Sequence, residues 1–261
     1  MIGGKAMEYQ LIQYSDENRI AKITLNSAPL NIMNIRMMEE INDALDHASH
    51  SAGLSAILFG GAGEKAFSAG VAIEEHTPEL VGKMLTTFHD IFRRLAKTDL
   101  VTVARVQGHC LGGGLELAAM CDFVIASDNA KFGQPEIKLG CFPPVAAALF
   151  PSLIGRRQAE RLMITGELIR APEAATIGLV TRVCSRDELD DCVDKVVTEI
   201  TSKSCAVIGL LRRAQPEWRD RFLDDLGRAE RLYLEDLTKL HDMQEGIDAF
   251  SEKREPSWRH E

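Results

Sequence analysis

The sequence predicts an α/β fold of repeated strand–strand–helix units followed by a helical C-terminal region. Three observations carry this. Apolar runs of strand length alternate with amphipathic helical patterns through the first half of the chain. One such run, Leu100–Val106, feeds the cluster Gly112-Gly113-Gly114, which opens a short apolar helix. From Val145 onward helical spacing dominates, interrupted by the short apolar stretch Leu179–Cys184.

Tyr9–Tyr14 and Ile20–Leu25 read as two strands around a turn at Ser15-Asp16-Glu17-Asn18. Ser27-Ala28-Pro29 breaks the pattern. Ile35, Met38, Ile41 and Leu45 recur at helical spacing, which predicts a helix over 35–48. Ser55–Phe59 is a short buried strand, ended by Gly60-Gly61-Ala62-Gly63. Pro78 suits the first turn of a helix over 79–97, whose apolar side carries Leu80, Met84, Phe88, Ile91, Phe92 and Leu95. A strand over Phe123–Ala126 follows the glycine-led helix. Later helices are predicted over 145–154, 156–164, 172–177, 188–201, 206–215, 222–240 and 242–250. A composition shift near residue 200 divides the chain into an expected ββα core over 1–200 and a helical region over 201–261.

With 30 basic and 39 acidic residues the net charge is −9, which argues against a nucleic-acid groove. No stretch approaches the ~18 uninterrupted apolar residues of a membrane span. Met1-Ile2-Gly3-Gly4-Lys5 lacks the apolar core of a secretory signal. The six cysteines form no C-x-x-C pair and sit mostly among apolar neighbours. They read as small core residues of a reduced, cytoplasmic protein without disulfides. The seven histidines show no ligand spacing, so no metal is expected.

Gly61-Ala62-Gly63-Glu64-Lys65-Ala66 imitates a dinucleotide fingerprint, but that motif must open a helix. Phe67-Ser68-Ala69-Gly70 follows instead and reads as a loop. The chemistry concentrates further on. Each glycine costs a helix about 1 kcal/mol relative to Ala, yet glycine lets backbone N–H groups approach a ligand. A helix N-terminus adds unpaired donors and partial positive charge. Gly112-Gly113-Gly114 is therefore a seat for developing negative charge. Glu116 lies just inside that helix, and Glu136 follows the turn-like Gly133-Gln134-Pro135. Two carboxylates flanking one water can serve as base and acid. Taken singly, Glu116 also reads as an acid favoured by a helix dipole, and Glu136 as a solvated loop carboxylate.

The stretch Gly108-His109-Cys110-Leu111-Gly112-Gly113-Gly114-Leu115-Glu116, with Phe132-Gly133-Gln134-Pro135-Glu136 and Lys65-Ala66-Phe67-Ser68-Ala69-Gly70-Val71, resembles the crotonase (enoyl-CoA hydratase/isomerase) superfamily. The resemblance runs from Ile20-Ala21-Lys22-Ile23-Thr24-Leu25-Asn26 to Glu245–Arg254. It implies a spiral of stacked ββα units whose C-terminal helices pack trimers that pair into hexamers. It also implies a CoA thioester substrate, with no separate cofactor. On this resemblance Ala69 and Gly113 supply the oxyanion-hole N–H groups. Glu116 is the water-activating base and Glu136 the proton donor. Lys65 reaches the CoA phosphates, and Phe250 and Lys253 match positions that contact CoA of a neighbouring subunit. From the residues alone, Lys65 is equally a solvated loop lysine.

Two departures bear on substrate. The family's Ala-Gly-x-Asp is Ala69-Gly70-Val71-Ala72 here, and Pro-Gly-x-Gly-Gly-Thr is replaced by Phe142-Pro143-Pro144-Val145-Ala146-Ala147. Prolines and apolar residues stiffen and fill that wall. These features resemble the branch of the family that hydrates a cyclic dienoyl thioester, cyclohexa-1,5-diene-1-carbonyl-CoA, in anaerobic aromatic degradation. Gly70, Val71, Phe142 and Pro143 are then expected to touch the substrate. The alternatives are a general 2-enoyl-CoA hydratase and a CoA-ester isomerase or hydrolase. His76 reads either as a residue lining the site or, as its residue type favours, as one on the polar face of a helix.

Overall fold

Neighbouring residues in the central strands face opposite ways, and both faces are covered. Ile57, Phe59, Ala104, Val106, Val124 and Ala126 join the main core. Their neighbours Ala56, Val101, Val103 and Ile125 join a second cluster on the other face. This period-2 split is what a strand buried on both sides requires. The computed structural model describes residues 8–261, so the reading of Met1–Lys5 lies outside the described residues.

The large sheet contains β1 (Ile12–Glu17), β2 (Ile20–Leu25), β3 (Ala56–Gly61), β5 (Val101–Val106), β7 (Phe123–Ser127) and β10 (Arg182–Cys184). They are neighbours in that order, with β1 antiparallel to β2 and the rest parallel. A smaller sheet has the order β4 (Ala66–Ser68), β6 (His109–Leu111), β8 (Lys131–Gly133) and β9 (Leu168–Arg170). β4, β6 and β8 run parallel.

Each of the central repeats thus gives one strand to each sheet and then a helix. β3 and β4 precede α2 (Val81–Lys97), and β5 and β6 precede α3 (Gly113–Ala119). β7 and β8 precede a 3₁₀ turn, Pro135–Leu139, and α4 (Pro144–Leu153). This is the expected α/β architecture of stacked ββα units. The chain from 66 to 70 corrects one expectation: Ala66–Ser68 is a strand, not part of a loop. Gly60 and Gly61 likewise stay inside β3.

The helices begin where local chemistry allows. Asn34 caps α1 (Ile35–His50) by accepting from Met37 N at 2.9 Å. Pro144 opens α4, where its missing N–H costs nothing. After α5 (Arg156–Thr165) and α6 (Ala171–Thr176), α7 (Leu189–Thr201) covers the second face of the large sheet with Leu189, Val193, Val197 and Ile200.

The C-terminal helices are α8 (Cys205–Arg213), α9 (Pro216–Glu235) and α10 (His241–Glu252). Phe222, Leu226, Tyr233 and Met243 join the same core cluster as the ββα units. The region over 201–261 is therefore helical as expected, and it completes the core rather than hanging from it.

A second correction concerns the cysteines. Cys184 at the end of β10 and Cys192 on α7 are joined in a disulfide, because the tight connection folds the helix back over the strand. The other four carry free thiols.

α3 lies unusually close to β4. A Cβ on Gly114 would stand 2.5 Å from the Ser68 carbonyl oxygen and 2.7 Å from Ser68 Cβ. Backbone cannot yield as a flexible side chain can. Gly114→Ala should therefore cost ~1–3 kcal/mol of stability, read as a lowered midpoint in chemical or thermal unfolding.

Candidate active site

Three parallel strands of the small sheet end side by side, and each delivers one part of the site. β4 runs into Ala69-Gly70-Val71, β6 into Gly112 and α3, and β8 into Gln134 and Glu136. The two connections after β6 and β8 stay together because Gly112 N donates to Gly133 O at 3.0 Å. A cleft of about 700 Å³ opens there. Its lining includes Glu116, Glu136, Gly113, Ala69, Gly70 and Val71. Phe142, Pro143, Phe250 and His76 also line it.

Those positions include most of the residues expected from the sequence. Lys65 and Lys253 are exposed and stand outside the lining. His76 corrects an expectation. It faces the cleft, its Nδ1 lies 3.1 Å from the Ala72 carbonyl, and burial pushes its pKa down.

The turn after β4 has four consecutive N–H groups, and three are committed. Ala69 N donates to Leu30 O at 2.9 Å. Gly70 N donates to Ser68 Oγ at 3.1 Å. Ala72 N donates to Met33 O at 2.9 Å. Val71 N alone of the four has no partner among the described residues. The Ala69 N–H is thus not free to meet a ligand, because its hydrogen bond holds the turn to the preceding loop; the free N–H of this turn is that of Val71.

Gly113 begins α3, where a helix leaves its first N–H groups unpaired. The Gly70-Val71 segment lies against Gly113. A Cβ on Gly113 would lie 2.8 Å from Val71 Cγ2, and one on Gly70 would lie 3.5 Å from Gly113 N. Gly70 also has φ +107°, a conformation that favours glycine. These glycines let two donors share one side of the cleft.

Glu116 is 2% exposed. Its Oε1 accepts from Ala146 N at 2.7 Å, and Val145 N assists. Both amides belong to the N-terminal turn of α4, whose partial charge favours an anion. Burial opposes this and wins, raising the Glu116 pKa to about 7.

Glu136 is half-buried and lines the cleft. Burial, and secondarily the Glu116 charge, raises it well above the usual carboxylate range. The Gln134 carboxamide lies against Glu136, and with its nitrogen turned toward the acid it would donate to Oε2 at 3.0 Å and Oε1 at 3.1 Å. On the other side, a Cβ at Gly112 would come 2.6 Å from Glu136 Oε1. Only glycine leaves the acid this room.

Sequence reasoning missed three contributors. The amides of Val145 and Ala146 were visible only as an apolar wall. Gln134 carried no motif that marked it as an orienting group for Glu136. Tyr233 lies almost a hundred residues downstream on α9, yet lines the cleft and packs on Phe142 with ring centroids 5.3 Å apart. No local signal pointed to it.

The arrangement can bind an anionic oxygen between two N–H groups. Beside that oxygen it offers one carboxyl whose anion two backbone amides favour and a second that burial and the first one's charge push toward its protonated form. Comparison with known proteins agrees with such chemistry. Residues 15–261 match the enoyl-CoA hydratase/isomerase family. The cyclohexa-1,5-dienecarbonyl-CoA hydratase of Thauera aromatica is 32% identical over 244 residues, 93% of each chain. A protein of Mycobacterium bovis described as a probable enoyl-CoA hydratase is 35% identical, over 97% of this chain and 100% of its own. The crystal structure of an enoyl-CoA hydratase from Mycobacterium avium subsp. paratuberculosis superposes with a TM-score of 0.84. It is 28% identical, over 96% of this chain and 99% of that one.

Proposed function

The chain belongs to the enoyl-CoA hydratase/isomerase family, a hydro-lyase of the enoyl-CoA hydratase type, and from that premise we propose that its substrate is a cyclic dienoyl thioester, cyclohexa-1,5-diene-1-carbonyl-CoA. The observation that carries the finer reading is the wall of the cleft that Phe142, Pro143 and Tyr233 form, which is packed and largely apolar. A flat, compact ring fills such a space, and the Thauera aromatica relative is named for this substrate.

In this mechanism the thioester oxygen lies between Val71 N–H and Gly113 N–H. Ionised Glu116 takes a proton from water as its oxygen adds to the β-carbon. Negative charge spreads into the thioester enolate, and the two amides stabilise it. Protonated Glu136 then returns a proton to carbon. With the cyclic diene that proton lands at the far end of the conjugated dienolate, giving 6-hydroxycyclohex-1-ene-1-carbonyl-CoA. The surroundings support this division of labour: the α4 amides favour the Glu116 anion, while burial and the Glu116 charge push Glu136 toward its protonated form. The pH profile of kcat/KM should be bell-shaped, with its rising limb near about 7 and a falling limb where Glu136 ionises. A profile flat across neutrality would remove Glu116 as base.

A general 2-enoyl-CoA hydratase is the second reading, favoured by the equally extensive match to the Mycobacterium bovis protein. Offering purified protein crotonyl-CoA and cyclohexa-1,5-diene-1-carbonyl-CoA, and following the gain of one water by mass, separates them. Preference for the ring supports the specialised reading. Preference for crotonyl-CoA sinks it and keeps the two-glutamate mechanism.

Assembly is part of the same proposal. Val207, Leu210 and Leu211 stand exposed together on α8, an apolar face suited to burial in a homotrimer or a hexamer of two trimers. Phe250, at 57% exposure on the cleft lining, and the exposed cations Lys65 and Lys253 are then placed to meet CoA, with Phe250 and Lys253 serving a neighbouring subunit's cofactor moiety. Analytical ultracentrifugation giving only monomer would remove this part.

A further inference from the structure

The cleft is lined by exposed residues as well as by buried ones. Arg254 and Glu255 are exposed where they line its mouth. Tyr233 lines the same cleft and is 2% exposed. Its ring packs on Phe142 and its hydroxyl meets the Cys141 thiol. The Cys141 thiol is in turn 3.5 Å from the Leu139 carbonyl, its acceptor. The bulk of a CoA thioester needs the open mouth. The acyl chain must therefore run inward from the Val71–Gly113 donors toward Phe142 and Tyr233.

The position of Tyr233 is set by α9, which is held from several sides. One turn before Tyr233, Glu230 Oε2 accepts from Arg93 Nη2 at 2.7 Å and pairs with His89 Nδ1 at 2.5 Å. His89 is 0% exposed, so this contact is made inside the protein. Phe222 and Leu226 anchor the same helix in the core. Both partners of Glu230 lie on α2, and α2 also sends Met84, Leu85 and Phe88 into the cleft. One helix pair therefore fixes both the side wall and the end wall. Side chains packed this way have few alternative rotamers, and a longer acyl chain would have to displace a helix rather than a loop.

We propose that Tyr233 is the acyl-length gate of this enzyme, a specificity-determining residue that closes the acyl site to extended chains, and that the Glu230 clamp to His89 and Arg93 keeps the gate shut. The gate admits short or compact acyl groups and rejects medium-length and longer ones. This inference rests on the acyl-CoA reading of the cleft but not on the ring substrate.

The test compares crotonyl-CoA with trans-2-octenoyl-CoA in the full chain and in Tyr233→Ala, Tyr233→Leu and Tyr233→Phe. The two truncations should raise the octenoyl-to-crotonyl ratio of kcat/KM by about tenfold or more, the scale at which pocket volume discriminates apolar groups. Tyr233→Phe keeps the ring and should keep the ratio. Glu230→Gln should raise it by a smaller factor, acting through the position of α9. Calorimetric binding of butanoyl-CoA and octanoyl-CoA to the same proteins gives a readout independent of turnover, in which octanoyl-CoA should gain on butanoyl-CoA when the ring is removed. Tyr233→Leu decides the matter if Tyr233→Ala does not fold. A ratio unmoved in both readouts overturns the gate. If the native protein hydrates neither linear enoyl-CoA, the general 2-enoyl-CoA reading fails, and the binding ratio alone then supports or overturns the gate.

Discussion

Glu136→Gln should lower kcat for hydration by ~10²–10⁴, the usual range for losing one acid–base group, and Glu116→Gln should do the same. Each substitution also has a second, opposite signature. Both carboxyls are held above their unfolded pKa, chiefly by burial. For such an acid the protonated form suits the fold. Its contribution is therefore fully present below the unfolded pKa and is lost as pH rises through the folded one. For Glu116 that window runs from 4.5 to about 7, a penalty of ~3 kcal/mol above it. A neutral Gln escapes the penalty. The variants should be nearly inactive, yet melt at a higher temperature than the native protein at about pH 8, with the gap closing toward about pH 4.

The hydrogen bonds make this combination attainable. At position 116 a carboxamide oxygen can still accept from Ala146 N, which donates to Glu116 Oε1 at 2.7 Å. At position 136 it can accept from the Gln134 amide. Near-native hydration in either variant would remove that residue from the mechanism. Lost activity with a lowered melting temperature would mean that the acid supports the fold rather than the chemistry.

The parts of the site legible in the sequence were those written in short, contiguous motifs. Gly112, Gly113 and Glu116 share one turn of helix, so their relation follows from adjacency. Glu136 was legible beside them because one motif, Phe132 to Glu136, carries it. The large sheet was legible for a similar reason: β2, β3, β5 and β7 are five or six residues long and each buries four or five of them, in runs long enough to show. The small sheet was hidden because its strands are three residues long. A period of two cannot be read from three residues. Yet the parallel ends of that sheet are what bring positions 71, 113 and 136 together. Tyr233 was hidden for another reason, since a buried tyrosine on an amphipathic helix looks like any core residue until the opposite wall is known.

Ala69 and Val71 show how far a motif can mislead by two positions. The Phe67-Ser68-Ala69-Gly70 motif lines up with the end of β4, but which of the N–H groups after it is free is a matter of backbone accounting. The structure commits Ala69 N to Leu30 O and leaves Val71 N without a partner among the described residues.

Val71→Pro is accordingly expected to lower kcat by ~10²–10³ with a much smaller change in KM, because it deletes one donor to the developing oxyanion. Proline removes the Val71 N–H without breaking any hydrogen bond that the N–H makes within the described protein. The preceding residue is Gly70 at φ +107°, which meets the restriction that proline places on its predecessor better than a residue with a Cβ could. Val71→Ala is the control: it loses the contact of Cγ2 with Gly113 but keeps the donor, and should hold kcat within a few-fold. Ala69→Pro should behave differently again. It breaks the 2.9 Å bond to Leu30 O in a buried turn, so it should cost ~1–3 kcal/mol of folding stability. Steady-state kinetics and thermal melts on these three variants separate a reacting N–H from a structural one. If Val71→Pro retains native kcat while Ala69→Pro remains folded and loses it, the oxyanion donor belongs at Ala69 and the hydrogen bond to Leu30 must open during turnover.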